Sequence, residues 1–169
     1  MAFDALRSRT RSTGFGASAA MLATLLALLV TAPTPRRGPP TVPDSLRFTL
    51  IAPESVRTGQ PVRITLHLTN VTKHAVEAHF LGREIAFDIV VAGKDGRVVW
   101  RRLAHAVVPG ILQVKILAPQ ERLEFSDVWR QEGDDGKPVA QGSYTIWGEL
   151  PSDEREPRRT DTATLRVTP

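Results

Sequence analysis

The sequence predicts an all-β domain, and three observations carry that prediction. Apolar and polar residues alternate along several short stretches, most clearly in Val62-Arg-Ile-Thr-Leu-His-Leu-Thr-Asn70. A period of two sends Val62, Ile64, Leu66 and Leu68 to one face and Arg63, Thr65, His67 and Thr69 to the other. Turn signals return about every ten residues, and no helical periodicity survives past residue 33.

The chain opens differently. Arg7, Arg9 and Arg11 precede an apolar run from Ala17 to Ala32. Basic residues, a short apolar core and small residues match an export signal. The apolar core falls short of the roughly 20 residues a spanning helix needs. Val30-Thr-Ala32 fits the small-residue cleavage rule, whereas Pro33 just beyond it hinders the peptidase. Residues 1–32 are therefore expected to form a signal peptide or a signal anchor helix. The segment 33–44 holds Pro33, Pro35, Pro39, Pro40 and Pro43. Proline at that density sustains neither helix nor inner strand, which makes this a linker. These features predict an exported protein: periplasmic, extracellular or held at the cytoplasmic membrane by its N-terminal segment alone.

Residues 45–168 form the folded domain. Leu46 to Ile51 alternate and stop at Pro53. Val76, Ala78 and Phe80 give a short strand, and Phe87, Ile89 and Val91 another. Lys94-Asp-Gly96 is a hairpin signal, because Asp-Gly tolerates the positive φ of a tight turn. Arg97 to Trp100 returns from it. Ile111 to Leu117 is apolar at mixed spacing. Leu123 and Phe125 mark a strand that ends near Val128-Trp129. Glu132 to Pro138 is a loop. Tyr144, Ile146, Gly148 and Leu150 alternate, and Ala163, Leu165 and Val167 close the series. About seven to nine strands in roughly 120 residues suit an immunoglobulin-like antiparallel β-sandwich, in which a corner tyrosine bonds backbone upstream; Gly142-Ser-Tyr144 suits that role. The chain has no cysteine. Its core must hold by apolar burial, and thiolate catalysis and thiolate metal sites are excluded.

Composition narrows the function. Formal net charge is +4, and from Pro33 onward 19 basic residues face 17 acidic ones. That balance argues against nucleic-acid binding, which needs basic residues massed on one face. His67, His74, His79 and His105 lack the close spacing of a metal pair. The acidic residues at 132–135 lack the alternation of a calcium loop. No Gly-x-Ser-x-Gly elbow and no Gly-rich phosphate loop occur. No cofactor and no enzymatic activity are expected. Asn70-Val-Thr72 fits a glycosylation acceptor but reads more simply as the turn after a strand. By parity Trp147 faces outward with Thr145 and Glu149, either as an interface anchor or covered by a loop.

Val62 to Thr72, Phe80, Phe87-Asp-Ile89, Gly96-Arg-Val-Val-Trp-Arg101, Leu117-Ala-Pro-Gln-Glu121, Trp129 and Gly142-Ser-Tyr144 together resemble the BsuPI-type domain, a bacterial family named after an intracellular proteinase inhibitor. The resemblance spans about Leu46 to Val167. Two departures stand out: the export signal, and Gln120 where the family often has glycine. The resemblance implies an immunoglobulin-like fold and proteinase inhibition. The expected function is an exported, non-enzymatic protein-binding module with a protein partner, a protease being the one the resemblance implies. The alternative is a tethered structural or adhesive envelope domain. Arg101 to Gly110 and Arg130 to Pro138 are the candidate contact loops. Arg101, Arg102 and Arg130 would suit a trypsin-like pocket, and Trp147 is the candidate anchor.

Overall fold

The computed structural model describes residues 45–169; the predicted signal or anchor (1–32) and the proline-rich linker (33–44) lie outside the described residues. Eleven strands and no helix occur among them: β1 (Leu46–Ile51), β2 (Ser55–Arg57), β3 (Val62–Asn70), β4 (Val76–Leu81), β5 (Asp88–Gly93), β6 (Val98–Arg101), β7 (Leu112–Leu117), β8 (Arg122–Trp129), β9 (Gly142–Leu150), β10 (Arg158–Arg159) and β11 (Ala163–Thr168). The short β2 and β10 carry no periodic signal, and the other nine match the runs read from sequence.

Two sheets face each other. One has the order β1-β3-β8; the other runs β2-β11-β9-β5-β6, with β10 continuing the edge of β9. All pairings are antiparallel except β2 with β11. The alternation of β3 works as expected: Val62, Ile64, Leu66 and Leu68 are buried against Ile89, Val91, Ile146, Leu150 and Leu165 of the opposite sheet. Gly148 allows a close approach between the sheets, since a Cβ there would lie 2.5 Å from Leu66. Trp129 bridges the layers, 5.5 Å from Tyr144 and 6.4 Å from Trp100 by ring centroids. The Tyr144 hydroxyl donates to the Ala140 carbonyl, four residues upstream, as a corner tyrosine does. Burial pushes that hydroxyl's pKa up. The Asp95-Gly96 hairpin also forms, with Gly96 at φ 79°.

The remaining ribbon, β4-β7, decides what the molecule presents. β3 pairs with β8 as far as Thr69 opposite Arg122. The same two legs pair again, with a small slip, from Val76 opposite Leu117 to Leu81 opposite Leu112. Residues 70–75 on one leg oppose 118–121 on the other, so the ribbon bends there and leaves its sheet. Asn70 sits inside the bend, with no exposed surface. Its Nδ2 donates to the carbonyls of His74, Leu117 and Ala118 at 2.8–3.1 Å. Its Oδ1 accepts from the Thr72 N–H and hydroxyl at 2.9 and 2.8 Å. One side chain thereby satisfies backbone groups on both legs where the ladder cannot. The burial of Nδ2 leaves it no access for a glycan, and the turn reading of Asn70-Val-Thr72 stands.

Gln120 completes the corner. Its N–H donates to the Asn70 carbonyl at 3.0 Å, and its φ is 64°. Left-handed backbone costs an ordinary residue about 1–2 kcal/mol and glycine almost nothing. Gln120→Gly is expected to raise stability by about 0.5–1 kcal/mol, the strain relieved exceeding the extra chain entropy lost. Urea unfolding of the two proteins checks it; a lower midpoint for the variant contradicts it.

Candidate functional site

Arg101 and Arg102 close strand β6 and open the loop that leads to β7. Both guanidinium groups are engaged. Arg101 Nε donates to Asp88 at 2.9 Å and its NH2 to Glu149 at 2.6 Å. Asp88 is almost fully buried, and its second oxygen accepts the Leu103 N–H at 3.0 Å. Burial works against the charge on Arg101, but the two carboxylates outweigh it and hold its pKa above the ordinary value. Arg102 reaches across to the other sheet. Its Nε donates to Asp127 of β8 at 2.6 Å, its NH1 to the Phe87 carbonyl at 2.9 Å, and its guanidinium lies 3.8 Å from the Phe87 ring centroid. These two arginines fix the base of a loop.

Trp147 faces outward, as parity predicts, and is half-buried. Val90 of β5 stands between it and Arg101 in one cross-strand row. Trp147 Nε1 donates to Glu149 at 2.8 Å, so Glu149 links it to Arg101. Arg159 of β10 covers its ring at 4.0 Å. Of the two readings of Trp147, the covered one describes this geometry. Arg130 is exposed just past the end of β8. The structure thus brings Arg101 and Trp147 together on one outer face and directs Arg102 across the sandwich.

The two candidate loops lie side by side. Asp134 joins them: its N–H donates to the Val99 carbonyl at 2.9 Å, its carboxylate accepts the Arg101 N–H at 2.9 Å, and its carbonyl accepts from His105 at 3.2 Å. Within the 132–138 hairpin, Lys137 holds the Asp135 carboxyl below its ordinary pKa, through its backbone N–H and its ammonium group.

Beyond Leu103 the chain leaves the surface. Ala106 to Gly110 has no ladder, and Val107 is 93% exposed. The segment is tied at both ends. Arg102 N–H donates to the Ile89 carbonyl at 3.0 Å at one end, and the Ile111 carbonyl accepts from Gly82 N–H at 2.9 Å at the other. Strand β7 follows directly. Among the described residues it pairs only with β4, which leaves its second edge open. Leu112, Val114 and Ile116 stand exposed on one face of it. Eight large apolar side chains are exposed among the described residues, and five of them (Val107, Ile111, Leu112, Val114 and Ile116) fall in this one segment. Scattered exposed apolar residues mean little, but a contiguous row on a free edge marks an interaction surface. The sequence carried that signal in the alternation of Leu112, Val114 and Ile116 with Gln113 and Lys115, which the neighbouring Ile111 and Leu117 obscure.

The histidines do not converge. His67 meets Glu124 at 3.1 Å on the outer face of β3, and His79 contacts Glu77 and Asp153. No cluster with the makings of a metal site occurs among the described residues.

Comparison with known proteins supplies the family. Residues 50–155 match the BsuPI family, described as an intracellular proteinase inhibitor. That description overturns the expectation of an exported, periplasmic, extracellular or membrane-anchored protein. The expectation rested on residues 1–32 alone, outside the described residues; no helix among the described residues is long and apolar enough to cross a membrane. No curated protein matches the chain. Solved structures with a similar strand layout include a CARDB domain from Pyrococcus furiosus in complex with di-metal ions (14% identity, 72% of this chain and 91% of that one, TM-score 0.38). Others are the alkylpurine DNA glycosylase AlkC of Pseudomonas fluorescens bound to DNA containing an abasic site analogue (9%, 74% and 31%, 0.43) and a β-glucosidase from Erythrobacter marinus (17%, 72% and 15%, 0.39). At such identities and scores none of them bears on activity.

The Arg101 pairs generate a stability prediction. Arg101→Met leaves Asp88 buried without its cation. Because the Arg101 side chain is 42% exposed, the loss is expected at about 2 kcal/mol, below that of a fully buried pair. Adding Asp88→Asn recovers most of it, since the amide oxygen still accepts from Leu103. Thermal unfolding of both variants checks the account, and an additive loss in the double variant contradicts it.

Proposed function

This chain belongs to the BsuPI family of intracellular proteinase inhibitors, and from that premise we propose that it is a non-enzymatic binding module whose partner is a proteinase. The Tyr144 corner and the Trp129 bridge between facing sheets support an immunoglobulin-like reading of the fold. One observation carries the functional reading: the exposed apolar residues concentrate in 107–116, a loop tied at both ends that runs into a free-edged strand.

An inhibitor must enter a cleft built for extended chain without loosening as it binds. The loop around Val107 suits that need. Arg102, Leu103 and Ile111 hold its two ends, so little ordering entropy remains to be lost on association. The side chain it offers is apolar. Arg101 and Arg102 hold the base, and the exposed Arg130 belongs to the neighbouring hairpin region as a peripheral contact. β7 then adds backbone donors and acceptors along its open edge, with Leu112, Val114 and Ile116 as side-chain contacts, the pattern of strand addition to a sheet. A cleft with an apolar primary pocket is the complement of this surface.

Titration of the full chain against a panel of proteinases with apolar and basic primary specificity tests the proposal. Inhibition of at least one member with an apolar pocket is expected. Val107→Asp and Val114→Lys should each weaken it by at least about tenfold while leaving the melting temperature unchanged, since neither side chain is in the core. Absence of inhibition across the panel, or inhibition indifferent to both substitutions, contradicts the reading.

A further inference from the structure

His79 lies in the middle of β4, directly opposite Val114 on the same face of the bent ribbon. Its two ring nitrogens meet carboxylates from opposite sides. Nε2 is 2.7 Å from Glu77 Oε1, and Nδ1 is 3.1 and 3.0 Å from the two oxygens of Asp153. A neutral imidazole has one N–H and one lone pair. In either tautomer one nitrogen would turn its lone pair on a carboxylate at hydrogen-bond distance. Only the doubly protonated ring donates to both.

Asp153 belongs to the segment between β9 and β10, which contacts the ribbon through few other bonds. Leu81 N–H donates to the Pro151 carbonyl at 3.1 Å. Between this segment and β4 lies a cleft of about 160 Å³, lined by Leu46, Ala78, Phe80, Leu150, Glu154 and Arg158. The charged groups bonded to His79 are Glu77 on its own strand and Asp153 on the segment, while Glu154 and Arg158 line the same cleft. The two bonded carboxylates favour the cationic ring.

We propose that His79 is a proton-operated latch that fastens segment 151–157 to the β4-β7 ribbon beside the cleft between them. The protonated ring bonds Glu77 and Asp153 together. Loss of one proton turns one of those contacts into a repulsion, and Asp153 is the partner that lies outside any strand, between β9 and β10. The direction of the equilibrium agrees: hydrogen bonding to Glu77 and then to Asp153 raises the pKa of His79 above the ordinary 6.5. A histidine whose folded pKa is raised adds stability that is fully present below the unfolded value near 6.5. That contribution fades as the pH rises through the folded value. The latch is thus shut below pH 6.5 and opens as the pH rises through the raised folded value. It operates whichever partner the chain binds.

Histidine ring resonances of the full chain, followed from pH 5 to 9 together with amide exchange of residues 153–156, test the latch. The His79 midpoint is expected above 6.5, and exchange in the segment, corrected for its intrinsic pH dependence, should speed up as the pH rises through that same midpoint. Asp153→Asn should move the midpoint lower and flatten the exchange profile. His79→Gln should flatten it as well. A wild-type midpoint at or below 6.5, a midpoint unmoved by Asp153→Asn, or exchange that does not follow His79 overturns the proposal.

Discussion

The presentation of the ribbon depends on one buried amide. A two-stranded ribbon can leave its sheet only where the ladder stops, and the backbone groups freed there must find partners away from water. Asn70 supplies them, donating to three carbonyls and accepting from Thr72. No other side chain of that size offers two donors and an acceptor from one planar group. Because the corner holds, β3 and β8 pair within the sheet with β1, while β4 and β7 continue as a separate ribbon that still sends Ala78, Phe80 and Leu117 into the core. β7 then has a free edge, and its apolar row faces solvent. The same corner places His79 within reach of Asp153.

Around that corner the polar groups work in support. Among the described residues no buried side-chain nitrogen or oxygen lacks a hydrogen-bond partner. Asp88, Arg101 and Glu149 bind β5, β6 and β9 on the outer face, and Arg102 ties the loop base to the opposite sheet. A loop so held can be fully exposed at Val107 and still keep its shape. Rigidity at the ends and exposure at the tip are the combination that an inhibitory loop requires.

Much of the fold was legible in the sequence because it depends on period-two burial. The alternation in Val62–Leu68 and in Tyr144–Leu150 has one physical outcome when one face must be dry. The Asp95-Gly96 turn and the Tyr144 corner were legible for the same reason, each depending on local chemistry. Features that depend on distant partners were not. Asn70 reads as an ordinary turn residue until Leu117 and Ala118, far along the chain, arrive beside it. Arg101 and Arg102 read as free cations until Asp88, Glu149 and Asp127 are seen around them. β7 showed as an apolar run of mixed spacing, but its orientation did not, because its apolar row faces water, the reverse of the rule that governs the other strands. Residues 1–32 misled in another way: a signal-like pattern suggested export, against the intracellular description of the family.

Amide hydrogen exchange in Asn70→Ala measures the central claim directly. Removing the side chain strands one buried backbone group at the corner, at a cost of about 1–3 kcal/mol, and three part-buried ones, which cost less. If Asn70 is what holds the bent ribbon, amides of β4 and β7 should lose far more protection than those of β5 and β9, whose pairing does not involve the corner. Equal losses in both regions, or full protection retained in β7, would show that the ribbon is held by something else.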